Sequence, residues 1–346
     1  MRPKLHKAVF ALMLTLASLF ASEAWAHAIR AVGSSFPASL YSAWAGIYEK
    51  QTGIRFEYDP AGTTKGIEAL TKGNAAFVAA NRPLSASRVE ADRLIQFPMV
   101  MGGVVPVVQI SGIAPGQLRL TGPVLADIFM GKITRWTDPA IRRLNPSVRL
   151  PPGPITVVSR GDPSGTTFLL SQFLDGVSPT WKAEVSSRPY VSIPVGFKAT
   201  SLTNLHHTML RVPNSIGYVD YAFARRMKLA HVSIQNQSGR FVQPSYRSIQ
   251  AATLLANWTG TMSLVTTNSP HPEAWPMASP SYVLMHTSYA NSDAAADAQH
   301  AIDFLAWALR QGDQIADDLD FVPLPHEVKV QVEREVANRL AALGGN

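Results

Sequence analysis

Short apolar segments of strand length alternate with amphipathic helical patterns along most of the chain, and this alternation constrains its fold most. "IRAVG", "AAFVAA" and "ITVVS" are typical of buried strands. Each is followed by a polar turn and then by a helical pattern such as "SLYSAWAGIYEKQTG". Strands and helices that alternate in this way predict an α/β protein.

The length of the chain predicts more than one domain. A chain of 346 residues exceeds what one typical hydrophobic core accommodates, so we expect two domains. The long apolar run "MVMGGVVPVVQI" is typical of a central strand that crosses between them. Because the chain has no cysteine, disulfides, a thiol nucleophile and cysteine-ligated zinc are all excluded.

The N-terminal residues have the pattern of a secretory signal peptide. "MRPKLHK" is basic, the following "AVFALMLTLASLFA" is apolar, and "AWA" supplies the small residues that signal peptidase prefers. We therefore expect residues 1–26 to be removed and the mature protein, beginning near His27, to be exported to the periplasm. No later segment is apolar enough to predict a membrane span.

Charge and histidine spacing exclude two further classes of function. The formal net charge is +7, but the basic residues form no long run, so we expect no nucleic-acid partner. The nine histidines show no metal-binding spacing, so we expect no metal and no cofactor.

Four segments share the order of strand end, small polar residues and helix start. A helix N-terminus presents unpaired N–H groups and a partial positive charge, so several converging ends would form an anion site without a metal. Serine and threonine before a helix are also ordinary N-caps, and for any single segment this alternative stays open. The four segments are Gly33–Ser35, Gly62–Thr64, Ala80–Arg82 and Arg160–Thr167.

The fourth segment, "SRGDPSGTTF", carries more than a cap requires. The planar guanidinium of Arg160 suits two oxygens of one tetrahedral anion. Asp162 lies two residues further on, where it can hold that side chain in place, although Asp also suits a Gly-Asp-Pro turn. The segment therefore predicts one side of an oxyanion site.

Several landmarks in the same order resemble the periplasmic phosphate-binding proteins of phosphate ABC transporters, the PstS type. They are "GSSFPASLYSAW", "RGDPSGTTF", "ADIFMGKITRWTDPAIRRLNP", "SIGYVDYAFA", "EAWP" and "DLDFVPLP". The resemblance covers residues 30 to 330. It implies a type II periplasmic binding protein, or Venus flytrap, in which two α/β domains are joined by two hinge crossovers. Domain 1 would comprise residues 27–108 and 281–346, and domain 2 residues 109–280.

The same resemblance implies a ligand set for inorganic phosphate, delivered by a monomer to the permease subunits of the transporter. Asp162 would orient Arg160, and Phe36 would contribute its backbone amide. The implied ligand contacts are Ser35, Phe36, Thr63, Asn81, Arg160, Ser164, Gly165 and Thr166.

One position departs from the family pattern. Where the family has an acidic residue that accepts the proton of phosphate, this chain has Asn81, followed by Arg82. The usual Gly-Gly of the second loop is Lys65-Gly66 here. A neutral amide implies weaker discrimination against sulfate or arsenate. Lys65 and Arg82 either add positive charge to the site or face solvent at its rim, and the sequence leaves both open.

Two other functions fit parts of the sequence. The same fold also serves a phosphate or phosphoryl-ligand sensor, or a scavenger that is not coupled to transport. A hydrolase could use Ser164 with Asp162 and a base from His206-His207. The loop lacks the Gly-x-Ser-x-Gly nucleophile elbow, however, and "TSLTNLHHTML" is typical of a solvated surface helix, so we expect no enzyme.

Overall fold

The structure is a computed structural model that describes residues 28–162, 164–186, 191–256, 262–263, 266–289 and 291–341. The predicted signal peptide, residues 1–26, lies outside the described residues, and so does Pro163. Among the helices that are described, none combines the length and the apolar character that crossing a membrane requires.

Strands and helices alternate through the first part of the chain, as the apolar periodicity predicts. The strands are β1 (Ile29–Gly33), β2 (Phe56–Asp59), β3 (Phe77–Ala80), β4 (Leu94–Gln109), β5 (Arg119–Leu120), β6 (Thr156–Arg160), β7 (Phe197–Ala199), β8 (Ser215–Asp220), β9 (Ser233–Gln235), β10 (Phe241–Val242), β11 (Ala278–His286) and β12 (Val322–Pro323). The helices are α1 (Ala38–Thr52), α2 (Thr63–Thr71), α3 (Ala86–Ala91), α4 (Gly122–Phe129), α5 (Pro139–Leu144), α6 (Gly165–Val177), α7 (Pro179–Glu184), α8 (Leu202–Arg211), α9 (Tyr221–Arg226), α10 (Tyr246–Ala251), α11 (Ser292–Gln311), α12 (Asp313–Asp318) and α13 (His326–Ala341).

One long strand, β4, runs through the middle of the main sheet. The strand order is β2-β1-β3-β11-β4-β8-β6-β7, with β12 also paired to β4, and β10-β9-β5 form a separate small sheet. The stretch Leu94–Gly103 pairs antiparallel with β11, and Val104–Gln109 pairs antiparallel with β8. β4 thus has different main partners along its two parts.

The parallel strands on both sides of β4 direct their carboxyl ends into polar turns. β1 is parallel to β2 and β3, and β6 is parallel to β7 and β8. Ligands of open α/β sheets bind outside the carboxyl ends of such strands. The turns after β1, β3 and β6 are therefore the places where a site is expected.

Buried aromatic side chains anchor the sheet to the helices. The Phe56 ring on β2 packs 4.3 Å from the Phe304 ring of α11, measured between ring centroids. Buried tryptophans find hydrogen-bond acceptors, as an indole N–H requires in a core: Trp181 Nε1 donates to Ser171 Oγ at 2.9 Å, and Trp275 Nε1 donates to the Val104 carbonyl at 2.9 Å. The second contact fixes the chain next to the point where β4 changes partner.

The C-terminal segment "DAQHAIDFLAWALRQGDQIADDLDF", residues 297–321, has the amphipathic pattern that predicts one long helix, but it forms parts of two helices. α11 ends at Gln311 and α12 begins at Asp313. Gly312 separates them, and its carbonyl accepts a hydrogen bond from Trp44 Nε1 at 3.1 Å. A Cβ atom at residue 312 would lie 2.5 Å from that same Nε1, so the close approach of the indole requires glycine.

The prediction of a solvated histidine pair in α8 is wrong for one of the two residues. His207 is exposed, whereas His206 is buried, with its ring centroid 5.5 Å from that of Phe223. His206 lies on the inward face of α8, where Phe223 of α9 packs against it.

Candidate functional site

The turns after β1, β3 and β6 meet around one cavity of about 80 Å³. Small hydroxyl-bearing residues and glycines dominate its wall, with two cations and no carboxylate among the described residues that line it. The lining comprises Ser34, Ser35, Ala61, Gly62, Thr63, Thr64, Lys65, Asn81, Arg82, Ser164, Gly165 and Phe168. Such a wall suits an anion.

The N-terminus of α2 opens toward this cavity. Gly62 precedes the helix with a φ of 101°, a left-handed conformation that glycine adopts without strain. No side chain of the described residues caps the helix, so the first N–H groups keep their hydrogen-bonding capacity for another acceptor. Thr63 and Thr64 line the cavity directly after Gly62.

The turn before α1 supplies hydroxyls to the cavity, but one predicted donor, the backbone N–H of Phe36, is hydrogen-bonded within the turn. Ser34 and Ser35 both line the cavity. The backbone N–H of Phe36 donates to Ser34 Oγ at 3.1 Å. The Phe36 ring is buried against Phe321 and is not part of the lining. The amide that the resemblance assigns to the ligand is therefore already bonded within the turn.

Arg160, at the end of β6, lies behind the cavity wall with its side chain held by Asp162. Its side chain is 6% exposed, and Nε donates to Asp162 Oδ1 at 2.6 Å. A second bond joins Nη2 to Asp162 Oδ2, so the pair is bidentate. Neither Arg160 nor Asp162 is among the residues that line the cavity.

A buried tyrosine, Tyr218, holds the Arg160 loop by hydrogen bonds. The backbone N–H of Arg160 donates to the Tyr218 hydroxyl at 3.1 Å, and that hydroxyl also pairs with Thr167 Oγ1 at 2.7 Å. Burial raises the pKa of Tyr218 to about 12, although the two hydrogen bonds oppose the shift. Tyr218 therefore stays neutral and links β8, β6 and α6.

The N-terminus of α6 forms the opposite side of the cavity. Ser164 precedes the helix, which has no side-chain cap from the described part of the chain. The Ser164 hydroxyl pairs with Thr166 Oγ1 at 2.6 Å. Ser164 and Gly165 line the cavity, whereas Thr166 is buried beside it, so Thr166 contacts Ser164 rather than the open space.

Asn81, directly after β3, is the buried polar side chain of the cavity with an unused donor. It is 2% exposed, and its Oδ1 accepts a hydrogen bond from Thr63 Oγ1 at 3.1 Å. Its Nδ2 is buried and has no partner among the described residues. A Cβ atom on Gly165 would lie 1.1 Å from this nitrogen, so the amide packs directly against the start of α6.

Lys65 and Arg82 both line the cavity. Lys65 is exposed, whereas Arg82 is partly buried, with Cζ 5.3 Å from the centroid of the Phe168 ring. Burial lowers the pKa of the Arg82 guanidinium from its ordinary value. Arg82 follows β3 and Phe168 belongs to α6, so this cation–π contact joins the two sides of the cavity.

The comparisons with known proteins agree on one family. A family model described as a PBP superfamily domain matches residues 21–311. The phosphate-binding protein PstS of Pasteurella multocida is 39% identical over 326 residues, which cover 94% of each chain. The chain belongs to the PstS family.

Solved structures show the same fold as this PstS-family chain. The phosphate-binding protein of Stenotrophomonas maltophilia superposes with a TM-score of 0.66 at 22% identity, covering 89% of this chain and 93% of that one. A high-affinity periplasmic phosphate-binding protein, solved with bound phosphate, gives a TM-score of 0.69 at 19% identity and the same coverage. The type II periplasmic binding protein fold that the sequence predicts is thereby confirmed.

The PstS-family resemblance predicts part of the cavity wall and misses another part. Its predicted residues Ser35, Thr63, Asn81, Ser164 and Gly165 line the cavity, as do the two uncertain cations. Five residues that it does not single out also line the cavity: Ser34, Ala61, Gly62, Thr64 and Phe168. Each lies within two residues of a predicted residue, which is the signal that could have found it.

A hydrolase would need a base near Ser164. The described residues that line the cavity include neither a histidine nor a carboxylate, and His206 packs against Phe223 in α8 instead. Asp162 has both oxygens bonded to Arg160. The relatives are named as binding proteins rather than enzymes.

Proposed function

We propose that this chain captures inorganic phosphate in the cavity and delivers it to the permease subunits of an ABC transporter. One observation carries the proposal: uncapped N-termini of α2 and α6 meet from opposite sides of the cavity, together with hydroxyls, Lys65 and Arg82, and the described lining residues include no carboxylate. N–H groups at helix ends and fixed cations together bind phosphate without a metal. The names of the PstS relatives support the same ligand.

In this proposal the ligand oxygens meet donors from both sides. Ser35, Thr63 and Asn81 act from the side of β1 and β3, and Ser164 and Gly165 from the α6 side. Arg160, held by Asp162, supplies buried positive charge behind the α6 side, and Thr166 fixes the Ser164 hydroxyl. The Phe36 amide is left out of the ligand set because Ser34 already uses it.

We further propose that the two sides belong to separate domains that close on the anion. Domain 1 comprises residues 27–108 and 281–346, and domain 2 comprises residues 109–280. The change of partner along β4 and the contact between Arg82 and Phe168 support this division. The anion favours the closed state because only there do both sets of donors reach it.

We propose export to the periplasm, since the N-terminal 26 residues have the pattern of a cleaved signal. The protein would act there as a monomer.

Calorimetric titration of the protein from His27 onward with phosphate tests the proposal. We expect saturable binding with one phosphate per chain. A protein that unfolds cooperatively but shows no heat of phosphate binding would contradict the proposed function. To test the coupling to transport, the gene is deleted and growth is measured on limiting phosphate, where we expect a defect.

A further inference from the structure

We infer that the Asn81 amide is a specificity-determining donor, which makes the cavity accept a tetrahedral dianion without a proton, such as sulfate, alongside phosphate. This inference rests on the proposed function, because it concerns the same cavity. It goes further in naming the group that sets which oxyanions are accepted.

The two ends of the Asn81 amide differ in their hydrogen bonding. The Oδ1 end of Asn81 accepts the hydrogen bond of the Thr63 hydroxyl at 3.1 Å. The Nδ2 end is buried and has no partner among the described residues. A buried donor without an acceptor destabilises a folded protein, so such a group is normally paired. An anion oxygen in the cavity would supply the missing acceptor.

The unused donor, Asn81 Nδ2, lies beside the start of α6. Nδ2 lies where a side chain on Gly165 would begin, 1.1 Å from the ideal Cβ position. Asn81 and Gly165 both line the cavity. An anion that accepts hydrogen bonds from the free N–H groups of α6 therefore lies next to Nδ2 as well. The amide then adds a donor from the opposite side of the cavity.

The charged side chains that the described cavity wall presents are positive. Among the described residues that line the cavity, the charged groups are Lys65 and Arg82, and neither forms a salt bridge within the described part of the chain. A lining carboxylate would repel an ion that has no proton to share with it, and the described lining residues include none. The side-chain oxygen of Asn81, the neutral counterpart of such an acceptor, is occupied by Thr63. Sulfate consequently meets donors and positive charge.

The test is a pair of calorimetric titrations, with sodium phosphate and with sodium sulfate, on the protein from His27 onward. We expect the dissociation constant for sulfate to lie within roughly tenfold of that for phosphate, since the two ions differ by about one neutral hydrogen bond here. Competition in the same cell should show that the two ions exclude each other.

Asn81→Asp then converts the donor into a charged acceptor of nearly the same shape. We expect sulfate binding to weaken about 100-fold or more, because a buried charge faces the dianion, while phosphate binding changes less than about tenfold. Asn74→Asp, at an exposed position outside the cavity, adds the same charge and should leave both affinities unchanged. Thermal unfolding of each variant reports whether it is folded.

The outcomes separate the inference from the proposed function. Tight phosphate binding by the wild-type protein with sulfate weaker by about 1000-fold or more would overturn the inference and leave the proposed function standing; the amide would then turn its oxygen to the ligand. Equal sulfate binding by wild type and a folded Asn81→Asp variant would also overturn it. Failure of both ions to bind the wild-type protein would overturn the proposed function itself.

Discussion

The two sides of the cavity differ in how far their own contacts satisfy their polar groups. On the α6 side, Arg160 and Asp162 form a bidentate pair behind the wall, and Tyr218 supports the loop from below. On the β3 side, Asn81 is buried, and its Nδ2 has no partner in the part of the chain that the structure describes. The charged side chains behind the α6 side are thus paired without a ligand, whereas the Asn81 amide on the β3 side keeps an unused donor.

This difference separates the groups that prepare the site from those that await an anion. A charged pair that is hydrogen-bonded in advance fixes the positive field and costs no rearrangement on binding. A buried unpaired donor costs about 1–3 kcal/mol, which an acceptor on the ligand can recover. Changes on the α6 side should therefore weaken all anions, whereas changes at Asn81 should alter the choice among them.

The largest effect is expected from Arg160→Ala. Loss of the guanidinium removes the positive charge and leaves the Asp162 carboxylate unpaired beside the bound anion. At an effective dielectric constant of about 20, two unit charges about 6 Å apart interact by about 2.8 kcal/mol, so phosphate affinity should fall about 100-fold or more, and sulfate affinity in parallel. Titration calorimetry measures both affinities.

Arg225→Ala is the matched control for this variant. Arg225 is also paired with an aspartate, Asp320, but its side chain is 61% exposed and lies outside the cavity. An exposed pair contributes little, so phosphate binding should be unchanged. Equal phosphate affinities for wild type and Arg160→Ala would contradict the proposed difference between the two sides of the cavity. The α6 side would then contribute no charge to binding.

A smaller effect is expected from Gly165→Ala, which acts on the contact between the two sides. The added methyl would take the place of the Asn81 amide and displace it, so the ligand would lose the Nδ2 donor. A buried group left without its partner costs about 1–3 kcal/mol, so phosphate binding should weaken about 10-fold to about 100-fold.

Gly176→Ala lies in the same helix, and the nearest atom to its new methyl is 3.9 Å away. It should bind phosphate normally and be slightly more stable, since alanine favours helix. If both glycine variants bind alike, the amide does not pack against α6 as described.

The smallest effect concerns pH and lies away from the cavity. Burial, assisted by neighbouring His207, lowers the pKa of His206 below 6.5. The unfolded chain then binds a proton more readily than the folded one, so the free energy of unfolding should decrease as the pH falls through that value. Denaturant unfolding at about pH 7.5 and about pH 5.5 should show a smaller decrease for His206→Gln than for wild type. An identical decrease would contradict the shift.

The sequence predicts those features of the molecule that depend on local pattern. Strand ends followed by glycine, serine or threonine can be recognised in the sequence, because periodicity and turn chemistry act over a few residues. The use of the Phe36 amide depends on which way the Ser34 side chain turns. The break at Gly312 depends on Trp44, which lies 268 residues away along the chain, and the burial of His206 depends on Phe223 in another helix. Such contacts exist only after folding.

The most direct test of the account is a crystal structure of the protein with bound phosphate. The account predicts a single phosphate in the cavity, with one oxygen within about 3 Å of Asn81 Nδ2 and others accepting from the first N–H groups of α2 and α6. A phosphate bound elsewhere, or one in the cavity that leaves Asn81 Nδ2 without an acceptor, would contradict it.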